Sequence, residues 1–347
     1  MNNIKELRRK IQIVGGNTVT VSLPSSWVKK HNIGKKDGNQ HEVIMKSLAD
    51  GTLVLTPADF NVNLHDRIRI HQISTRTTSN ELIRILAADY MGGIDKIILK
   101  IKKPLNTEIL REIQEFVQSR LIGFDLSNLE NQIEIVSMFQ APKYDMVRLL
   151  QIVEMRSLKM ISSCYTWIKE DVSDYDALLA NMYDWEITID RQTNQMIRTL
   201  QISLFDFWTS EKVNLPMSEL LYWFAVIKAI ESACDLAVAI TELALNHVDW
   251  SDNLRNELFK LGNNVENLFT NSLEAYTAKK PEIAHQVLND QRTISISLHR
   301  KWPISSTDKL DGTSSLILRH LEKIGTYARK IAEATLNRDA AAHFDIE

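Results

Sequence analysis

The sequence predicts a multidomain protein with a small β domain, then a small α/β domain, then an all-α domain. The N-terminal segment alternates β-branched and small residues and is rich in Lys and Arg. Residues 61–140 alternate strand-like and helical stretches, and from residue 144 onward apolar residues recur at intervals of three and four. The first pattern is typical of strands and the last of amphipathic helices. At 347 residues and 44% hydrophobic, the chain is long enough for two or three domains with separate cores.

Residues 1–58 are predicted to form a small β domain. The predicted elements are a strand at Thr18–Leu23, a short helix that ends at Lys30, and a hairpin of His41–Met45 with Thr52–Leu55. So short a segment cannot bury a good core by itself. Intertwining with a second copy is the simplest way to complete it, so we expect a homodimer or a higher oligomer.

The same segment is basic. Residues 1–58 contain nine Lys and Arg against four Asp and Glu, a net charge of +5, whereas the whole chain carries −3. A positive domain on an acidic body concentrates the attraction for phosphate groups at one end of the molecule. An ordinary solvated β domain is the alternative interpretation of these charges. The candidate DNA-binding residues are Arg8, Arg9, Lys10, Lys29 and Lys30.

This N-terminal domain resembles the AbrB/SpoVT/MazE group of swapped-hairpin domains. The matching residues are Gly16-Asn17-Thr18, Leu23-Pro24, Trp27, and Asn32-Ile33-Gly34 followed by Lys35-Lys36-Asp37-Gly38. The resemblance implies a homodimeric β-barrel that binds DNA through basic side chains at one end. Many DNA-binding members carry an arginine where this chain has Asn17. That departure affects base-specific recognition more than DNA binding, because lysines hold phosphates but carry little sequence information.

Residues 61–140 are predicted to form a small α/β domain. The predicted order is βαβαβ, with strands at Ile68–Ser74, Lys96–Ile101 and Gln132–Met138 and helices at Leu82–Tyr90 and Glu108–Arg120. Thr78 and Glu81 have the spacing of a capping box before the first helix. The block has no Gly-rich phosphate loop and no metal-ligand spacing. We therefore expect a dimerising or docking role for it.

Residues 144–337 are predicted to form an all-α bundle. The six predicted helices lie near residues 144–170, 175–206, 217–247, 251–279, 281–301 and 312–337. They divide into two sets of three, residues 144–247 and 251–337, which indicates an internal duplication. Short connections between long helices favour an up-and-down bundle.

Two pairs of acidic residues stand on neighbouring predicted helices. Glu186 and Asp190 lie on the second helix, and Glu231 and Asp235 lie on the third. A spacing of four residues puts both carboxylates of a pair on one helix face. Four carboxylates from two facing helices can hold a hard cation such as Mg²⁺, Mn²⁺ or iron. From the residues alone the plainer alternative is a solvated polar stripe, which Lys228 continues.

The helical half resembles the PhoU family, which is built from two three-helix repeats. The best-matching stretch is Leu321–Glu333, and Ile230–Asp235 is the same element in the first repeat. Asp184–Asp190 matches the family's preceding helix, with Asn289–Ser295 as its counterpart in the second repeat. The resemblance implies that the acidic pairs bind a multinuclear metal cluster.

Overlaying the two repeats predicts one metal-competent site and one degenerate site. The correspondences are Glu186 with Gln291, Asp190 with Ser295, Glu231 with Glu322, and Asp235 with Thr326. A hydroxyl and an amide cannot supply the negative charge that a multinuclear cation cluster needs. We therefore expect a single cation site in the first repeat, or a merely charged face there if no cation binds.

Composition predicts a cytoplasmic protein without membrane insertion. Cys164 and Cys234 lie in separate apolar helical stretches and suggest reduced core thiols. The first residues lack the apolar run of a signal peptide. The most apolar stretch, residues 220–245, contains several charged residues and does not suit a membrane span.

The two resemblances together imply a regulator of phosphate uptake or phosphate signalling. Such a protein would bind DNA, dock on a phosphate ABC transporter or its signalling partners, or do both. The first alternative is an interaction protein that docks without binding DNA. The second is a carboxylate-metal enzyme, which is less favoured because the chain has no His-x-x-x-His spacing and no evident Ser-His-Asp order. We therefore expect no catalytic residues.

Overall fold

A computed structural model shows a mostly helical chain with small β-sheets toward its N-terminus. The described residues are 7–16, 18–31, 33, 42–47, 51–57, 67–74, 76–102, 105–138, 145–169, 174–205, 207–244, 250–302 and 312–343. The chain divides into two compact units, one within residues 1–66 and the other within residues 67–344.

The first unit consists of two hairpins and a short helix. Strands β1 (Gln12–Val14) and β2 (Thr18–Thr20) pair antiparallel, and helix α1 (Ser25–Lys30) follows. Strands β3 (Val43–Ser47) and β4 (Leu53–Pro57) form the second antiparallel pair. The predicted hairpin is therefore present, but strand β1 was not predicted and β2 is shorter than the predicted Thr18–Leu23.

Very little of the first unit is buried. Among its described residues only Thr56 and Pro57 are buried. Apolar side chains on both hairpins face solvent, and Ile13 and Val19 are 73% and 65% exposed. One chain thus presents two separate two-stranded sheets, and closure of a barrel with a second copy stays a prediction.

The second unit begins with a four-stranded sheet covered by two helices. In chain order the elements are β5 (Ile68–Ile73), α2 (Ser79–Met91), β6 (Lys96–Ile101), α3 (Thr107–Arg120), β7 (Phe124–Leu129) and β8 (Gln132–Ser137). The strand order is β5-β6-β8-β7, with β5 and β6 parallel and the other pairs antiparallel. The predicted capping box of Thr78 and Glu81 is confirmed at the start of α2. Strand β7 was missed in the sequence, so the order is βαβαββ rather than βαβαβ.

The rest of the second unit is helical. The helices are α4 (Met146–Thr166), α5 (Tyr175–Phe205), α6 (Phe207–Lys212), α7 (Leu220–Ala244), α8 (Asp252–Thr277), α9 (Pro281–Lys301) and α10 (Gly312–Ala342). All six predicted long helices are present, and the short α6 and a 3₁₀ turn at Met217–Glu219 were not predicted. The last helix runs five residues beyond its predicted end at residue 337, because residues 338–342 continue its pattern of alanine and polar side chains.

The six long helices pack in two groups of three. Helices α4, α5 and α7 contact one another, and so do α8, α9 and α10. The groups meet where α7 packs against α10 and α4 packs against α8. Each group therefore contributes its first and third helices to the shared core, which leaves α5 and α9 on the outside of this pairing.

A buried arginine fixes α5 to the sheet end of the unit. The Arg198 guanidinium donates to the backbone carbonyls of Tyr90 (3.0 Å) and Ile94 (2.7 Å) and to Asp95 Oδ1 (2.6 Å). It also lies against the rings of Tyr90 and Phe124, at 5.2 and 4.9 Å from their centroids. Burial lowers the pKa of Arg198, and the charge of Asp95 opposes that change. Helix α5 is thus shared between the bundle and the α/β part.

A glycine allows an aromatic ring to lie directly on helix α8. A Cβ atom at Gly262 would come within 2.3 Å of the ring of Tyr165, which is buried and whose hydroxyl donates to Asn263 Oδ1 at 2.8 Å. The ring is held at both its face and its hydroxyl, so it has little room to move. The α4–α8 contact therefore requires glycine at this position.

Substitution of Gly262→Ala is expected to destabilise the protein by about 1–3 kcal/mol, as overpacking in a filled core does. Urea unfolding followed by circular dichroism measures the change. Gly325→Ala is the matched control, because its added Cβ would meet only Leu268 and Val265 at an ordinary 3.7 Å. That helix-interior change should be neutral or stabilising by up to about 1 kcal/mol. Equal effects of the two substitutions would contradict the packing argument.

Candidate metal centre

Three carboxylates from two helices converge on one point of the bundle. Glu186 and Asp190 lie one turn apart on α5, and Asp235 lies on α7. One oxygen from each lies within 4.8 Å of the others. Glu186 and Asp190 are half-buried, whereas Asp235 is the most exposed of the three. Among the described residues this is the one group of three or more His, Cys, Asp or Glu side chains with such a spacing.

The fourth predicted ligand, Glu231, lies outside this trio. Its carboxylate forms an ion pair with Lys228, one turn earlier on α7. Glu231 is still close enough to act on the trio electrostatically, since its negative charge contributes to the raised pKa values of Asp190 and Asp235. The structure therefore brings together three of the four predicted ligands, whereas the fourth, Glu231, forms an ion pair with Lys228.

An arginine from the α/β part already contacts two of the carboxylates. Arg120, the last residue of α3, donates to Asp190 Oδ2 at 2.7 Å and to Glu186 Oε2 at 3.2 Å. Each of these side chains is 22% exposed. A planar guanidinium suits two carboxylates that stand one helical turn apart, because its donors form a fixed fork. The sequence analysis did not identify this residue.

The crowding of negative charge shows in the pKa values. Burial raises the pKa of Asp190, and the negative charge of Glu186 and a hydrogen bond with it raise it further, against the opposing charge of Arg120. Partial burial and the charges of Glu231 and Glu186 raise the pKa of Asp235 to about 6, and Lys228 opposes this rise. Both carboxylates are therefore less stable in their charged form than they would be in water.

The donor set fits a hard cation. Carboxylate oxygens are the ligands that Mg²⁺ and Mn²⁺ prefer, and carboxylates also bind iron in helical bundles. A cation at the trio would relieve the raised pKa values, because it would favour the charged form of all three groups. Glu186, Asp190 and Asp235 would supply the protein's ligands.

The corresponding place in the second half has a different chemistry. Ser295 on α9 donates to Glu322 Oε1 on α10 at 3.0 Å, and His299 Nε2 lies 3.3 Å from the same oxygen. The Thr326 hydroxyl donates to the backbone carbonyl of Glu322, one turn earlier on the same helix. Glu322 is thus paired with a hydroxyl and an imidazole. The contacting histidine, His299, was not identified in the sequence analysis.

The five candidate DNA-binding residues lie in the first unit. Arg8, Arg9 and Lys10 precede β1, and Lys29 and Lys30 form the last turn of α1. All five are exposed. Asn17, where the family departure was noted, lies outside the described residues.

A second ionic cluster was also missed in the sequence. Asp89 on α2 is buried at 1% exposure and accepts from Arg69 at 2.8 Å, and its other oxygen lies 2.6 Å from His71 Nε2. The two partners stand on β5, so the cluster ties that edge strand to the helix above it.

Cys164 and Cys234 are both free and buried, and burial raises the pKa of each thiol, as expected for core cysteines.

Comparison with models of known protein families finds no match to this chain. A comparison with characterised proteins finds no match either. Within the part of the chain that the structure describes, no helix combines the length and apolar character needed to cross a bilayer.

Replacing Asp190 by Asn should flatten the pH dependence of stability. An acid whose folded pKa is raised binds more protons when folded, so metal-free stability should fall as pH rises above about 4. The loss should continue through the raised folded pKa. The substituted asparagine stays neutral and its side-chain oxygen can still accept from Arg120, so at pH 8 the variant should equal the parent or exceed it by about 1 kcal/mol.

Urea unfolding at pH 5, 6, 7 and 8 in the presence of a chelator measures this. Asp184→Asn, an exposed carboxylate on the same helix, is the matched control and should leave the pH profile unchanged. A profile of the Asp190→Asn variant that matches the parent would show that Asp190 titrates normally.

Proposed function

We propose that this protein is a DNA-binding regulator of phosphate uptake or phosphate signalling. In this proposal a dimeric N-terminal unit binds DNA and the helical bundle holds a cation. The observation that carries the proposal is the state of the first unit, where basic residues accompany hairpins whose apolar side chains are exposed. A β unit with so little buried surface gains stability by pairing with another copy.

Pairing would also serve DNA binding. Two copies would bring together two sets of Arg8, Arg9, Lys10, Lys29 and Lys30, and neutralising several phosphates at once gives strong, salt-dependent binding. Because the lysines supply charge but little base discrimination, phosphate contacts would dominate the affinity. Specific reading of bases would rest on Arg8 and Arg9.

The phosphate part of the proposal rests on the resemblance of the helical half to the PhoU family. The two three-helix groups and the carboxylate trio between α5 and α7 are compatible with it. A bound Mg²⁺, Mn²⁺ or iron ion would supply positive charge and open coordination positions for an oxygen ligand. A ligand or partner that prefers one arrangement of the helices would shift the protein toward that arrangement.

Replacing both Lys29 and Lys30 by Gln should weaken binding to random duplex DNA. Each phosphate contact that is lost should reduce the slope of log K against log salt by about 0.9. Fluorescence anisotropy across a salt series measures both quantities. The double substitution Arg329→Gln with Lys330→Gln removes an exposed basic pair from α10 and is the matched control. If the parent protein binds DNA without salt dependence, or does not bind DNA, the alternative of an interaction protein that docks without binding DNA would be favoured.

Replacing Ile13 by Glu should reduce self-association. The side chain is 73% exposed in one chain, and a carboxylate there would have to be buried in a paired unit. We expect at least about a tenfold rise in the dimer dissociation constant by sedimentation velocity. Ile296→Glu, at an isoleucine of α9 that is 50% exposed, is the control and should leave association unchanged. A parent protein that sediments as a monomer would contradict this part of the proposal.

A further inference from the structure

The candidate cation site and Arg120 of the α/β part share two carboxylate groups. Arg120 uses Asp190 Oδ2 and Glu186 Oε2, and these two side chains are also two of the three groups that can hold a cation. A divalent cation binds carboxylate oxygens at about 2.0–2.6 Å, and a guanidinium beside it would be repelled at close range. Both cations cannot hold these two carboxylates at full strength at the same time.

We propose that Arg120 is an internal counter-cation that a divalent cation displaces, so that binding of the cation releases the end of α3 from α5. The proposal rests on the cation role given above for Glu186, Asp190 and Asp235. Arg120 would partly offset the charge of Glu186 and Asp190 when no metal ion is bound. Its displacement would make the end of α3, in the α/β part, respond to whether a cation is bound in the bundle.

The geometry favours release of one contact rather than of the whole α/β part. Arg198 holds α5 to the carbonyls of Tyr90 and Ile94 and to Asp95, and none of these groups belongs to the carboxylate trio. Arg198 lies eight residues beyond Asp190 on α5, about 12 Å along the helix. The α/β part would therefore stay attached at Arg198 while the end of α3 came free at Arg120.

Among the described residues, the corresponding place in the second half of the bundle has different contacts. In the second half Glu322 is met by Ser295 and His299. The fork of an arginine can bridge two carboxylates on successive turns, which a lysine does less well. An arginine that bridges Glu186 and Asp190 is thus matched to a site with two acids on one helix face.

The test compares Arg120→Gln with Arg156→Gln in the full chain, after removal of metal with a chelator. Arg156 is the matched control because it also reaches α5, donating from α4 to Gln192 Oε1 at 2.8 Å, but contacts no carboxylate there. Isothermal titration with Mn²⁺ measures affinity. Hydrogen exchange of the amides at the end of α3 measures whether that helix is held on α5.

We expect Arg120→Gln to bind Mn²⁺ at least about tenfold more tightly than the parent, because a competing positive charge is gone. In the parent and in Arg156→Gln, Mn²⁺ should speed exchange at the end of α3. In Arg120→Gln, exchange there should be fast already and should not respond to Mn²⁺. Arg120→Lys keeps the charge without the fork and should fall between these limits, which provides a second reading if the glutamine variant folds poorly.

Two results would overturn the inference in different ways. Mn²⁺ binding of equal or lower affinity in Arg120→Gln, or unchanged exchange in α3 when the parent binds Mn²⁺, would show that Arg120 does not compete, and the cation site would stand. No Mn²⁺ binding by the parent or by either Arg120 variant would remove the cation role itself, and the inference with it.

Discussion

Negative charges held close together on two packed helices are the constraint on which the rest of the second unit depends. Glu186, Asp190 and Asp235 have oxygens within 4.8 Å of one another, and two basic groups act on them electrostatically. Arg120 approaches from α3 and Lys228 from α7 itself. Even so, the pKa values of Asp190 and Asp235 are raised, so Arg120 and Lys228 do not fully offset the repulsion among the carboxylates. A site arranged in this way favours any further cation that can reach it.

Helix α5 is the element through which this constraint extends beyond the bundle. It carries the two half-buried acids of the trio, and one face of it also reaches the α/β part through Arg198. Asp95 there faces both Arg198 and Arg67, so the charge on Arg198 is paired rather than stranded. Breaking a buried pair by removing one partner is strongly destabilising, because the other charge is left without compensation. The anchor at Arg198 is therefore the more costly of the two contacts to break, and the bridge at Arg120 is the more exposed one.

The helical architecture could be predicted from sequence because its signal is local. Leucines and valines recur at intervals of three and four in residues 254–268, and Leu258, Leu261, Val265 and Leu268 form part of the buried face of α8. Strand β7 was missed because Phe124–Leu129 contains Asp, Ser and Asn, which disfavour strands by propensity, and it forms because it pairs with β8. Spacing of four residues identified both acidic pairs, whereas the ion pair of Glu231 with Lys228 is a local i,i+3 contact on α7 that the spacing of the acids alone does not report. The bridge from Arg120 spans 66 and 70 residues of sequence, which no periodicity reports.

In the proposed function, each of the two units is completed by something that binds to it. The first has apolar side chains exposed on its hairpins, and pairing with a second copy would make its state depend on protein concentration. The second has a carboxylate trio, and a bound cation would make its state depend on cation concentration. Binding stabilises the folded form appreciably only when the ligand concentration exceeds the dissociation constant, so each unit would respond over its own range of concentration. A regulator needs such a dependence, whereas a fold held together entirely by its own core would respond to neither.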